Sequence, residues 1–440
     1  MPRQNGMSWQ TLSVRAPSPK GSSSRLLRLL DAPPLSPRQW RVLLALGVAN
    51  LIDNYDGALL GMALPQIQAG LGVPEDAVGQ MLASVRLGVL PAVLLTMLAD
   101  HIGRRRLLLV TIIGFTLATF ATALAPNVEA FVAAQFIART CIAAETMLAI
   151  VVIIEEFDAR NRGWGIGMLG ALGAFGYGVA SLMFSLVDAL PYGWRALYVL
   201  GVVPLLLIAW FRRALEETHR FTALRTAQGG TRASLLQPLR NLVRMYPGRM
   251  LALGAALLPF AFVTETAMFF PSKFLQAVHG YAPRDIAVMY LTVGILGLLG
   301  NVIAGALGDR HGRKLVLVVG LLANGGAAAL FYNASGWVVP LLWGVMVMTV
   351  TMISVLFGAL GSELFPTSYR STASGVRAVI ATIGAAGGLW LEGVLFADLG
   401  SHAAAITAML IVVPIAPLVI AFCLPETANR ELEEVSPERG

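Results

Sequence analysis

The chain has 440 residues, 56% of them hydrophobic and only 13% charged, and its mean hydropathy is +0.71. Soluble globular proteins carry about a quarter of their residues as Asp, Glu, Lys and Arg, so this composition speaks against a water-soluble enzyme and for helices in lipid. The net charge of +7 needs no nucleic-acid partner, because no soluble recognition element accompanies it. The two cysteines, Cys141 and Cys423, lie in apolar stretches and offer neither a disulfide scaffold nor a metal site.

In chain order, residues 1–38 are polar, rich in Ser, Pro and Arg, and lack the apolar core of a cleaved leader. They are expected to form a disordered cytoplasmic arm. Twelve apolar stretches follow, at 42–66, 79–99, 106–126, 131–154, 164–187, 194–211, 250–271, 286–308, 315–333, 337–361, 373–396 and 403–424. Each is near the roughly 20 residues that carry a helix across a bilayer. The expected division is a six-helix bundle over 39–211, a cytoplasmic linker over 212–249, a second six-helix bundle over 250–424 and a tail over 425–440.

Charge orients these spans. The 212–249 stretch holds eight arginines against Glu216 and Glu217. The loops after spans two, four, eight and ten carry Arg104 to Arg106, Arg160 with Arg162, Arg310 with Arg313 and Lys314, and Arg370, whereas the opposite loops are poor in base. The positive-inside bias places both termini in the cytoplasm of a bacterial inner membrane, where the basic residues meet anionic lipid.

A duplication runs through the chain. Leu98-Ala99-Asp100-His101-Ile102-Gly103-Arg104-Arg105 recurs as Leu307-Gly308-Asp309-Arg310-His311-Gly312-Arg313-Lys314, and Glu155 with Arg162 recurs as Glu363 with Arg370. The two landmarks repeat at offsets of 209 and 208 residues, the mark of a repeated structural unit. Gly103 and Gly312 permit a sharp turn between antiparallel helices. Asp100 and Asp309 stand at helix ends, where they can pair with base or accept backbone N–H groups.

Two sets of six spans joined by a basic loop, with an Asp-Arg/His-x-Gly-Arg-Arg/Lys signature after spans two and eight, resemble the major facilitator superfamily over residues 40 to 430. That resemblance implies an all-α membrane protein whose two pseudo-symmetric six-helix bundles rock about a central site to give alternating access. It also implies a cytoplasmic gate built from Asp100, Gly103, Arg104, Arg162, Asp309, Gly312, Arg313, Glu363 and Arg370. The first copy departs from the pattern, with Thr96 where the second has Gly305 and His101 where it has Arg310.

A finer resemblance, to the metabolite:proton symporters, rests on Asp53-Asn54-Tyr55-Asp56, Arg86-Leu87-Gly88, Arg139, Ala143-Ala144-Glu145, Glu155 to Gly163, and Trp194-Arg195 leading to Glu216 to Phe221. Ala143-Ala144-Glu145 stands where that group has Gly-Gly-Glu. Glu363-Leu364-Phe365-Pro366-Thr367 and Pro425-Glu426-Thr427 are shared with sugar and organic-ion porters.

Away from the span ends, the apolar stretches contain eight charges: Asp53, Asp56, Arg86, Arg139, Glu145, Glu265, Arg377 and Glu392. An ionised group in hydrocarbon is costly, so such residues face a water-filled cavity or a partner of opposite sign. Asp56 leads the proton-coupling candidates, because Gly57 beside it lets a helix or solute approach; Asp53 and Glu145 are the alternates. The plainer alternative has the aspartates only pairing with Arg86 or Arg139 to hold helices together.

Arg377 is the first candidate for an anionic substrate, since a guanidinium meets a carboxylate bidentately. Alternatively it is a structural partner of Glu265 or Glu392. Arg86, Arg139, Glu265 and Tyr55 complete the substrate-binding candidates. Gly163, Gly165, Gly167, Gly170, Gly173, Gly176 and Gly178 are expected to give span five one small face for close packing. No Gly-Lys-Ser/Thr phosphate loop is present.

The expectation is therefore proton-coupled symport of a small organic acid or zwitterionic metabolite, with efflux of a cationic or lipophilic compound as the alternative. Neither requires an enzyme active site, a cofactor or a metal. The expected partners are the bilayer, protons and a small solute, with the monomer as functional unit.

Overall fold

The computed structural model describes residues 33–158, 161–212, 237–366 and 369–428, with the side chains of 97–101, 207–212, 238 and 371 outside that description. Residues 1–32 of the expected arm and most of the central linker and terminal tail therefore lie outside the described residues, while Pro37 and Arg38, expected in the arm, already belong to the first helix.

The first span is α1 (Pro37–Met62). It starts five residues before the apolar run because Ser36 and Gln39 form a capping box and Pro37 opens the first turn. A short α2 (Leu64–Leu71) extends it. Span two is a 3₁₀ turn at Glu75–Ala77, then α3 (Val78–Leu87), a break at Gly88 and α4 (Val89–Ile102). The next four spans are α5 (Arg104–Leu124), α6 (Val128–Glu156), α7 (Arg162–Phe184) and α8 (Trp194–Arg212).

Inside the stretch expected to be linker, α9 (Gln237–Met245) forms a helix with Leu242 buried. The second half then runs through α10 (Pro247–Phe269), short α11 (Pro271–His279), α12 (Pro283–His311), α13 (Arg313–Phe331), α14 (Val338–Glu363) and α15 (Arg370–Leu399). Span twelve comprises α16 (His402–Met409), a 3₁₀ turn and α17 (Ile415–Cys423). Ten of these segments are long and apolar enough to cross a bilayer. With α1 and the shorter apolar Trp194–Leu206 they make the twelve expected spans.

Both signature turns are sharp. Gly103 and Gly312 have φ of +105° and +95°, values a side chain would oppose. These turns mark the end of the molecule that carries the basic loops, called here the basic end; the opposite one is the far end.

The apolar cores show how the halves meet. At the basic end each half has its own: Leu43, Leu46, Leu107 and Phe157 in the first, and Leu253, Leu317, Phe357 and Phe365 in the second. At the far end one core is continuous across both, running from Leu59, Phe131, Phe184 and Trp194 to Phe270, Phe274, Phe331 and Trp343. In the same way α3 packs extensively along α15, whereas α4, the basic-end continuation of α3, barely touches it. Ser181 of α7 donates to the Ala287 carbonyl of α12 at 2.7 Å, again toward the far end.

The glycines of span five do not form one packing face. A Cβ at Gly176 would stand 2.1 Å from the Leu51 carbonyl oxygen, and one at Gly173 would meet Asn50 and Asn54, so these two let α7 lie against α1. Gly165 abuts Ile153 and Phe157, and Gly178 approaches Leu291 of the other half, but Gly163, Gly167 and Gly170 meet only open space. At 3.6 residues per turn Gly165, Gly173 and Gly176 share one side of the helix and Gly163, Gly167, Gly170 and Gly178 another, so only part of the run serves close packing within the half.

Candidate transport site

The first half buries its acids behind the cavity. Asp53 and Asp56 are both almost fully buried on α1. The Thr119 hydroxyl of α5 donates to Asp56 Oδ1 at 3.5 Å, and Arg139 of α6 lies within electrostatic range of the same carboxylate. The opening expected beside Gly57 is filled by that arginine, since a Cβ at this glycine would stand 3.2 Å from Arg139 Nη1. Asp53 and Glu145 both lie close enough to the Cys141 sulfur to act on its charge, and Glu145 is as deeply buried as Asp56. Tyr55 is also buried. Its hydroxyl donates to the Leu197 carbonyl at 2.8 Å and its ring rests on Gly201, so it packs span one against span six and does not line a cavity.

Between the halves, Arg86 Nη2 of α3 meets Glu265 Oε2 of α10 at 2.9 Å, with side chains 30% and 40% exposed. Charges inside the spans with this much exposure require a hydrated space between the halves to stand in. Arg86 is placed by the break at Gly88, where α6 comes so close that a Cβ would lie 2.4 Å from the Phe136 carbonyl. Thr140 seals that approach by donating to the Gly88 carbonyl at 2.6 Å. Tyr177, nearly half exposed on α7, is within electrostatic range of Arg86, Arg139 and Glu265.

Arg377 stands apart from this group. It lies against Gly358 and Gly361 of α14 toward the basic end. Glu392 is fifteen residues along the same helix, about 22 Å away at 1.5 Å per residue. The structural pairings considered for Arg377 are therefore corrected: Glu265 meets Arg86, and Glu392 meets His402. The Phe269-Phe270-Pro271 segment is a helix junction, with α10 ending at Phe269 and α11 beginning at Pro271.

At the basic end the two halves repeat one ion pair. Arg104 Nη2 meets Glu155 Oε1 at 3.1 Å in the first half. Its counterpart Arg313 contacts Glu363 in the second, with Asp309 3.6 Å away. Each pair ties a signature turn to the end of the span two helices later in its own half. Arg162 does something else: its Nε donates to the Phe157 carbonyl at 3.0 Å, bracing the entry to α7. Arg370 opens α15, and its Nε has no hydrogen-bond partner among the described residues. The Asp100 side chain lies outside the described residues.

The far end gathers Glu392 with polar residues that no motif marks. Lys273 Nζ lies 2.6 Å from Glu75 Oε2 and also contacts Gln68. His402 bridges two acids, with Nε2 2.8 Å from Glu75 and Nδ1 2.5 Å from Glu392. Gln66 and Gln276 join at 2.8 Å, and Ser272 donates to the Met62 carbonyl at 2.7 Å. All but the His402–Glu392 contact cross between halves. His402 carries no pattern of its own.

Two six-helix bundles enclosing a charged, hydrated space between them define a membrane transporter, not an enzyme. The chain belongs to the Major Facilitator Superfamily, whose profile matches residues 46–307 and 251–439. It is 27% identical to a Haemophilus influenzae protein named as a metabolite transporter, covering 90% of this chain and 98% of that one. It is 26% identical to the provisionally assigned 4-methylmuconolactone transporter of Cupriavidus pinatubonensis (91% and 94% covered) and 25% identical to a 4-hydroxybenzoate transporter of Pseudomonas putida (83% and 95% covered). In fold it matches the inward-open xylose transporter XylE of E. coli with a TM-score of 0.72 at 19% identity, covering 90% of this chain and 99% of that one.

Proposed function

We propose that this chain is a proton-coupled importer of small organic acids in a bacterial inner membrane, with the basic end and both termini in the cytoplasm. In this reading the structure is the inward-open state, its far end closed toward the outside. The observation that carries the proposal is the Arg86–Glu265 pair, one charge from each half, partly exposed within the spans and sharing the electrostatic range of Tyr177 with Arg139. A substrate carboxylate competes with Glu265 for Arg86, and so substrate arrival changes the electrostatics between the halves. Arg86 takes the role first considered for Arg377, because it is the guanidinium that shares the space with charge from the opposite half. Relatives named for 4-methylmuconolactone and 4-hydroxybenzoate support ring-bearing organic acids as the substrate class.

Asp56 carries the proton in this reading, with Asp53 and Glu145 as alternates. The test is uptake in proteoliposomes, using radiolabelled 4-hydroxybenzoate and related carboxylates under an imposed proton gradient. Asp56→Asn is expected to abolish accumulation against a gradient while substrate exchange persists. Arg86→Lys, which keeps the charge but loses the planar fork, is expected to weaken binding by roughly tenfold to a hundredfold. Unchanged accumulation with unchanged proton flux in Asp56→Asn, Asp53→Asn and Glu145→Gln would remove the acids from the pathway. A response only to hydrophobic cations would replace import of acids with efflux.

A further inference from the structure

The far-end cluster poses a problem in counting protons. His402 places Nδ1 2.5 Å from Glu392 and Nε2 2.8 Å from Glu75, so each ring nitrogen faces a carboxylate oxygen. Ionised carboxylates only accept hydrogen bonds, and neutral imidazole has a single N–H. With a neutral ring and two ionised acids, one of the two contacts would set a lone pair against a lone pair. Both are satisfied only when the group holds one more proton, on the ring or on an acid.

Charge balance leads to the same count. Glu392 is fully buried, the Lys273 and His402 side chains are 5% and 13% exposed, and only Glu75 reaches solvent, at 51%. Lys273 offsets one carboxylate, and the additional proton offsets the other. Of the other described neighbours, the rings of Phe270 and Phe396 flank His402, Gln68 meets Lys273, and the Tyr332 hydroxyl near Glu392 is committed to the Ala267 carbonyl. Asp76 approaches Gly393 through its backbone oxygen.

We propose that Glu75, Glu392 and His402 form a proton-binding site that is complete only when the far end is closed. Glu75 belongs to the first half, while Glu392, His402 and Lys273 belong to the second. Opening the far end withdraws Glu75 from both cations and dismantles the site. A state that binds a proton more tightly is favoured by acid, so acidification holds the far end shut and alkalinisation releases it, by up to about tenfold in the closed-to-open ratio per pH unit for one linked proton. This site goes beyond the proposed coupling acids: it sets which way the carrier faces, with or without substrate.

The test is a distance measurement on the full-length protein in lipid nanodiscs without substrate, between spin labels at the exposed positions Glu129→Cys and Ser335→Cys in a Cys423→Ser background. As the pH is lowered from about 8 to about 5, the far-closed population is expected to rise. In His402→Gln that dependence is expected to vanish, and Glu75→Gln, altered at its half-exposed acid, is expected to flatten it without threatening the fold. A pH response that survives both variants and is lost in Asp56→Asn would overturn this site while leaving the proposed coupling intact. An unaltered protein whose far end ignores pH would overturn it outright.

Discussion

At the basic end, the ion pairs Arg104–Glu155 and Arg313–Glu363 stay inside one half; at the far end, Lys273–Glu75, His402–Glu75 and Gln66–Gln276 cross from one half to the other. The apolar cores divide in the same way, separate at one end and continuous at the other. Contacts within a half keep a bundle rigid, and contacts between halves hold a position. The two ends should therefore answer mutation differently, the basic end through stability and the far end through the balance of conformations.

The largest contrast lies between two glycines. A Cβ at Gly79 would stand 2.3 Å from the Leu389 carbonyl oxygen and 2.7 Å from the Gly393 nitrogen, backbone atoms of the opposite half. Overpacking of this kind costs about 1–3 kcal/mol, and rotating the halves apart relieves it. Gly79→Ala is expected to shift the far-end equilibrium toward open by roughly tenfold to a hundredfold, read by the same spin-label distance, with the melting temperature little changed. At Gly176 the obstacle is Leu51 of the same half, where rotation brings no relief. Gly176→Ala should lower the melting temperature and leave the distance distribution alone. Two variants with the same signature would break the contrast.

Lys273→Gln comes next. Truncating one partner of a fully buried pair costs about 3–5 kcal/mol, but Glu75 is half exposed and recovers water, so the expected cost is about 2 kcal/mol. It should fall on the far-closed state, and uptake should slow as that state becomes scarce.

The fold was legible because its signals are repetitive. Twelve apolar runs, two signature turns and a constant offset all describe the same object, and an error in one is corrected by its copy. The acids of span one were legible for a different reason, since charge is conspicuous in an apolar helix. What the sequence left open was partnership. Nothing in the spacing of Arg377, Glu265 and Glu392 says which guanidinium reaches which acid, because those pairings depend on depth along separate helices. Tyr55 sits between two functional candidates on α1, yet helical geometry turns it into the core against Leu197. The far-end cluster was the least visible. It draws residues from five elements, including Lys273 and Glu75, more than 190 positions apart, and no local pattern marks such a convergence.

The smallest effect tests the basic end. Glu426, just past span twelve, accepts from the backbone N–H groups of Arg313 at 2.9 Å and Lys314 at 3.2 Å. It thus caps the start of α13 after the turn at Gly312, and the Lys314 ammonium returns the contact to the Leu424 carbonyl at 2.9 Å. A carboxylate there satisfies two orphan donors and opposes the positive end of the helix, worth about 1 kcal/mol. Glu426→Ala should cost that much stability in a melting experiment without altering the far-end distance, because both partners belong to the second half.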